Sequence, residues 1–138
     1  MPRIICIDYG LKRTGLAVTD PFQIIATGLM TIESKKLIPF LKDYFSKEEV
    51  ELVIIGMPLN LDDSPTDITG QVKKFITAYQ KFFPSIPIKE VDERYTSKLA
   101  SQAMVEMGMK KKARQNKGMV DEIAATMMLQ EYMKSQNI

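Results

Sequence analysis

Histidine is absent from all 138 residues, and cysteine occurs once. The first absence excludes a Ser-His-Asp or Cys-His hydrolase centre and a histidine zinc site built within this chain. The second excludes an internal disulfide and a zinc cage of thiolates. Cys6 stands inside the apolar run Ile4-Ile5-Cys6-Ile7 and reads as a small buried hydrophobe. Acid–base or metal chemistry is thus left to carboxylates, Lys, Tyr or the metal itself. Oxygen-only ligands favour Mg²⁺ or Mn²⁺.

No apolar run approaches the roughly 18 residues a membrane helix needs, so no membrane partner is expected. Met1 leads directly into the first apolar run without the basic segment, long apolar stretch and cleavage site of a secretory signal. The expected address is cytoplasmic. Hydrophobic residues at 45% and charged residues at 26% describe an ordinary globular balance, and the length suits a single domain over 1–138. The net charge of +2 is too small to make the whole surface an attractor for nucleic acid. Its distribution says more. Lys110, Lys111, Lys112, Arg114 and Lys117 fall within eight residues with no acid among them. Such a stretch is either a solvated loop or a grip on several phosphates.

Arg3 to Ile7 predicts a short buried strand with Asp8 at its end. After the turn Tyr9–Arg13, a second strand is expected over Thr14–Thr19. Asp20-Pro21 breaks the chain before a third strand over Ile24–Ile32. Leu37, Ile38, Leu41, Tyr44 and Phe45 mark one face of a helix over Ser34–Lys47, with Pro39 in its first turn. Leu52-Val53-Ile54-Ile55 is a continuous apolar run, as in a strand covered on both faces. Ser64-Pro65-Thr66-Asp67 reads as a helix start, followed by the stripe Ile68, Val72, Phe75, Ile76 and Tyr79. A fifth strand is expected over Ile88–Val91, then a helix capped by Thr96 and stopped by Gly108. The final helix should bury Val120, Ile123, Ala124, Met127 and Met128. The order β-β-β-α-β-α-β-α-α implies an α/β mixed sheet with helices on its faces.

Acids occupy informative places on this frame. Asp8 ends the first strand, where open α/β sheets present their sites. Asp92 and Glu93 end the fifth. Asp121, in the first turn of the last helix, projects beside that helix's apolar stripe and hence along the helix–sheet seam. Singly, these acids also suit a turn, a helix dipole or a surface pair with Arg94. Together, carboxylates from two strand ends and one packed helix can hold a pair of metal ions about 3.5–4 Å apart for phosphodiester cleavage.

Four segments in order resemble one known family, YqgF or RuvX-type proteins, described as Holliday junction resolvases or pre-16S rRNA nucleases. They are Ile7-Asp8-Tyr9-Gly10 with Lys12-Arg13-Thr14-Gly15-Leu16-Ala17, then Ile54-Ile55-Gly56-Met57-Pro58-Leu59-Asn60, Val91-Asp92-Glu93-Arg94-Tyr95-Thr96-Ser97 and Val120-Asp121-Glu122-Ile123-Ala124-Ala125. The resemblance implies a ribonuclease-H-like fold with strand order 3-2-1-4-5 and strand 2 antiparallel. It implies Asp8, Glu93 and Asp121 as catalytic metal ligands, with Asp92 the alternative to Glu93 because adjacent strand residues face opposite sides. Lys12, Arg13 and Arg94 gain a role in holding phosphate beside the metals. Lys111, Lys112, Arg114 and Lys117 gain one as a backbone grip. The segment Leu61-Asp62-Asp63-Ser64-Pro65 departs from the family, which carries a glycine near this point.

The expected activity is a metal-dependent nuclease maturing the 5′ end of 16S rRNA, acting on pre-16S rRNA alone or within ribosomal precursor particles, as a monomer or homodimer. The alternatives are a resolvase of four-way branched DNA and a non-catalytic nucleic-acid-binding module. An actin- or hexokinase-like phosphate binder also carries Asp-x-Gly after its first strand. Such proteins have duplicated halves, however, and this chain shows no repeat.

Overall fold

The apolar runs become the strands of one sheet, and their alternation decides which helix covers which face. A computed structural model describes residues 2–57, 68–92 and 117–136. Strands β1 (Arg3–Asp8), β2 (Arg13–Thr19), β3 (Ala26–Glu33), β4 (Val50–Met57) and β5 (Ile88–Asp92) lie in the order β3-β2-β1-β4-β5. β2 runs antiparallel to both β1 and β3, whereas β4 is parallel to β1 and to β5. This is the ribonuclease-H-like arrangement the resemblance implies. The parallel strands β1, β4 and β5 all end at the same edge of the sheet, the edge where β2 begins.

Helices α1 (Leu37–Lys47) and α2 (Thr69–Phe82) cover one face. Their core takes Ile5 and Ile7 of β1, Leu16 and Val18 of β2, and Val53, Ile55 and Met57 of β4. Helix α3 (Lys117–Ser135) covers the other face, packing Ala125, Met128, Leu129 and Met133 on Ile4, Cys6, Ala17 and Ile54. Cys6 is fully buried, as its apolar neighbours predict. Each aliphatic side chain buried here contributes about 1.5–3 kcal/mol relative to exposure. Among the described residues, no helix is long and apolar enough to cross a membrane.

Several boundaries differ from the sequence expectation, each for a local reason. The third strand starts at Ala26 rather than Ile24, because the Asp20 carboxylate accepts the amides of Ile24 and Ile25, each at 2.7 Å, and that of Phe22 at 3.1 Å. Those amides are therefore occupied before a ladder can form, and Gln23 turns the chain with φ 58°. The helix expected from Ser34 is a 3₁₀ turn over Ser34–Lys36 followed by α1. Ser34 does not cap it: its hydroxyl lies 2.5 Å from the Gly10 carbonyl and 2.8 Å from Thr14 Oγ1. Pro39 falls in the first turn of α1, where a missing N–H removes no helical bond.

In α2 the expected stripe holds: Val72, Phe75 and Tyr79 are buried, with Ile68 and Ile76 packed partly against them. In α3 the buried line is turned by about one residue from the expected one. Ala125 and Leu129 are fully buried, while Ile123 and Met127 are only partly so. The helix start at Ser64–Asp67, the departure at Leu61–Pro65 and the helix from Thr96 to Gly108 lie outside the described residues.

Candidate active site

Alternation along β1 sends Ile5 and Ile7 toward α1 and α2, and Ile4 and Cys6 toward α3. Asp8 is the next residue of the second series, so it stands on the α3 side at the strand's carboxyl end, half-buried. Its partner across the ladder is Gly15, and Cys6 pairs with Ala17. The β2 residues opposite this face of β1 are therefore the two smallest available. Arg13, two residues before Gly15, shares their side of the strand.

That smallness is what lets α3 reach the sheet. A Cβ added to Gly15 would overlap the Asp121 carbonyl and sit 2.9 Å from the Glu122 nitrogen. The first turns of α3 thus press backbone against backbone at the residue facing Asp8. Asp121 is four residues before Ala125 and eight before Leu129, so it continues the buried line of the helix rather than lying beside it. The two carboxylates are brought to the same edge by different parts of the chain, one by a strand end and one by a helix. Arg13 joins them there: its Nε lies 3.5 Å from Asp121 Oδ2, with the side chains 43% and 29% exposed. At that length and exposure the Arg13–Asp121 pair is a weak one. Glu122 turns away toward β3, where a Cβ on Gly28 would be 2.8 Å from its Cγ.

The loop between β1 and β2 is tied down at several points. Besides the Ser34–Gly10 bond, the Ser34 amide donates to the Lys12 carbonyl at 2.9 Å. Tyr9 stacks on Phe75 of α2, with ring centroids 5.1 Å apart. Lys12 and Arg13 are thereby presented from a fixed turn. With Leu11, Glu33 and Lys35 they line an open cavity of about 340 Å³.

Of the residues singled out from the sequence, the structure brings together Asp8, Arg13 and Asp121, with Lys12 beside them. Glu93, Arg94, Lys111, Lys112 and Arg114 lie outside the described residues, and Lys117 opens α3. Among the described residues no group of three or more acidic, Cys or His side chains forms a metal cluster. Asp8 and Asp121 supply two oxygen donors of the type Mg²⁺ or Mn²⁺ takes, so what is described of the site suits such an ion. Sequence reasoning missed Gly15 as the point of helix contact and Ser34 as the anchor of the loop. The small residues near Asp8 were the available signal for the first. The second depends on a contact across twenty-odd positions, which periodicity does not carry.

Comparison with known proteins bears on this arrangement. Residues 2–135 match the RuvX family, described as Holliday junction resolvase. The chain belongs to the RuvX family. A Flavobacterium psychrophilum relative named "Putative pre-16S rRNA nuclease" is 56% identical over 133 residues, covering 96% of this chain and 97% of its own. A relative of the same name from Bacteroides thetaiotaomicron is 47% identical, covering 98% of each chain. Among solved structures, the fowlpox virus Holliday junction resolvase superposes with a TM-score of 0.57 at 16% identity, covering 97% of this chain and 99% of that one. Thermus thermophilus RuvC in complex with a Holliday junction gives 0.57 at 13% identity, over 99% and 96%. At those identities the likeness establishes the fold alone, and it agrees with the strand order found here.

Proposed function

We propose that this RuvX-family chain is a metal-dependent nuclease that hydrolyses phosphodiester bonds in the cytoplasm, with precursor 16S rRNA as its substrate. The observation that carries the reading is the convergence of Asp8 and Asp121 across Gly15, with Arg13 beside them. The third carboxylate of the proposal, Glu93, lies outside the described residues; what supports it is that β5, which leads to it, runs parallel to β4 and ends at the same edge of the sheet as β1.

When bound, Mg²⁺ or Mn²⁺ would lower the pKa of an attacking water and neutralise charge on the leaving oxygen. The chain's own residues do the rest. Asp8, Asp121 and Glu93 would hold the cation, and the partial burial of Asp8 and Asp121 would limit competition from water. Arg13, already at Asp121, and Lys12 hold non-bridging phosphate oxygens of the strand being cut. No proton transfer by histidine is required, in keeping with its absence from the chain.

The substrate choice rests on the names of close relatives. Resolution of four-way DNA is the second reading, supported by the description of the family itself. Paired cuts in such a junction call for a symmetric dimer. The two are separated by incubating the purified chain in Mg²⁺ with a 16S precursor RNA carrying its 5′ leader and, separately, with a four-way junction. Cleavage of the RNA that disappears in Asp8→Asn supports the first reading. Paired nicks in the junction alone support the second, and equal cutting by Asp8→Asn would refute both.

A further inference from the structure

Beside the carboxylates lies a cationic cleft of which the site described so far uses only Lys12 and Arg13. Its walls are Leu11, Lys12 and Arg13 from the turn before β2, and Glu33 and Lys35 from the end of β3 and the 3₁₀ turn. Arg13 and Glu33 are partners in the β2–β3 ladder, so these two segments are fixed side by side. Three cations face one acid, and that acid already pairs with Lys35 at 3.5 Å. Lys35 remains 80% exposed, which leaves its ammonium able to exchange Glu33 for a ligand. Leu11 is 65% exposed, although the turn that carries it is anchored by Ser34 and by the stacking of Tyr9. A rigid turn that holds a leucine out in water beside three cations suits a ligand with both phosphate and an apolar face.

We infer that this cleft is a second subsite for the nucleic-acid strand, holding the backbone one step away from the bond that is cut. Lys35 holds its phosphate, and Leu11 packs against its base. The inference rests on the nuclease reading and deepens it. Arg13 is the hinge between the two places, because it reaches Asp121 on one side and lines the cleft on the other. A strand lying over the carboxylates is thereby led across the Gly10–Arg13 turn toward the end of β3, and Lys35 is the cation waiting there.

The test is strand binding by the full chain in EDTA, where binding proceeds without cleavage, measured by fluorescence anisotropy with a short single-stranded oligonucleotide at several salt concentrations. Losing one phosphate contact flattens the plot of log affinity against log salt by about 0.7. Between 50 and 200 mM salt the wild-type affinity then falls about threefold more than that of Lys35→Gln. Lys35→Arg should restore the wild-type slope. Lys47→Gln, at another well-exposed lysine in the last turn of α1, should leave it unchanged. Leu11→Ser should weaken binding without altering the slope, and should have no effect on an abasic oligonucleotide. An unchanged slope in Lys35→Gln, while the wild-type chain binds, overturns the subsite and leaves the nuclease reading standing. Failure of the wild-type chain to bind any strand overturns both.

Discussion

Gly15 of β2 holds open the space through which the Asp121 backbone passes: a single added carbon would overlap the Asp121 carbonyl. Because Gly15 is also the ladder partner of Asp8, this one contact sets how near the two carboxylates stand. It predicts that Gly15→Ala damages stability and site together. The obstructing atoms are backbone, which cannot rotate aside, so α3 must shift bodily. Overpacking of this kind costs about 1–3 kcal/mol. Urea denaturation should show a lowered midpoint, and Mn²⁺ affinity should fall even in dilute urea-free buffer. Ala17→Gly, two residues further along β2 on the same face, removes only a methyl and should spare metal affinity. A Gly15→Ala variant with wild-type midpoint and metal affinity would rule out the contact.

Arg13 tests whether the cation beside Asp121 serves the fold or the substrate. Its pair with Asp121 is long at 3.5 Å and partly exposed, so removing it should change stability by less than about 1 kcal/mol. A charge-assisted hydrogen bond to a phosphate oxygen, by contrast, is worth about 1.5–3 kcal/mol. Arg13→Gln should therefore lower kcat/KM by about tenfold or more while leaving the thermal midpoint within a few degrees. A large drop in midpoint with unaltered turnover would make Arg13 structural.

How much of this was legible beforehand follows from the range of each interaction. The runs in β1 and β4 are apolar on both faces and were readable as buried strands without knowing their neighbours. Asp8 and Asp121 are readable as candidates because they fall at element ends, while Glu93 lies outside the described residues. Asp8 has a fixed parity on β1, whereas Asp121 depended on a helix face that proved to be turned by about one residue toward Ala125 and Leu129. That rotation came from Gly15 and Ala17, which sit a hundred residues away in sequence and draw the helix onto themselves. Ile24 and Ile25 have every local mark of strand residues. A carboxylate four and five positions earlier takes their amides, and propensity carries no record of that competition.

The Asp20 loop carries a pH dependence. Acceptance of backbone amides, that of Ile25 foremost, holds the Asp20 carboxyl below its ordinary value of 3.8. A depressed folded pKa means that the contribution of the loop to stability is present above the ordinary carboxylate pKa. It is lost as pH falls through the lower folded value. The amide resonances of Ile24 and Ile25 should accordingly titrate with a midpoint below 3.8. In Asp20→Ala the same amides should lose their protection and exchange near the rate of an unstructured peptide at each pH. A midpoint at or above the ordinary value would contradict the bonding described.

Tyr79 offers the reverse case on the opposite side of the sheet. Its ring is fully buried between Phe45, Phe75 and Phe83, while its hydroxyl finds no hydrogen-bond partner among the described residues. Burial pushes its pKa far above the ordinary value of 10.0. Here the folded pKa is raised, so the unfolded chain releases a proton that the folded one retains. Stability therefore declines as pH climbs past 10.0 toward the folded pKa. Tyr79→Phe keeps the ring contacts and removes an unsatisfied hydroxyl, whose desolvation costs about 1–3 kcal/mol. The variant should be more stable than wild type by about 1 kcal/mol at neutral pH. Its advantage should widen above pH 10.0, while the loss from Tyr44, whose pKa burial also raises, is common to both proteins. Urea unfolding at pH 7 and in alkaline buffer measures both quantities. A Tyr79→Phe variant that is less stable than wild type would mean that the hydroxyl has a partner after all.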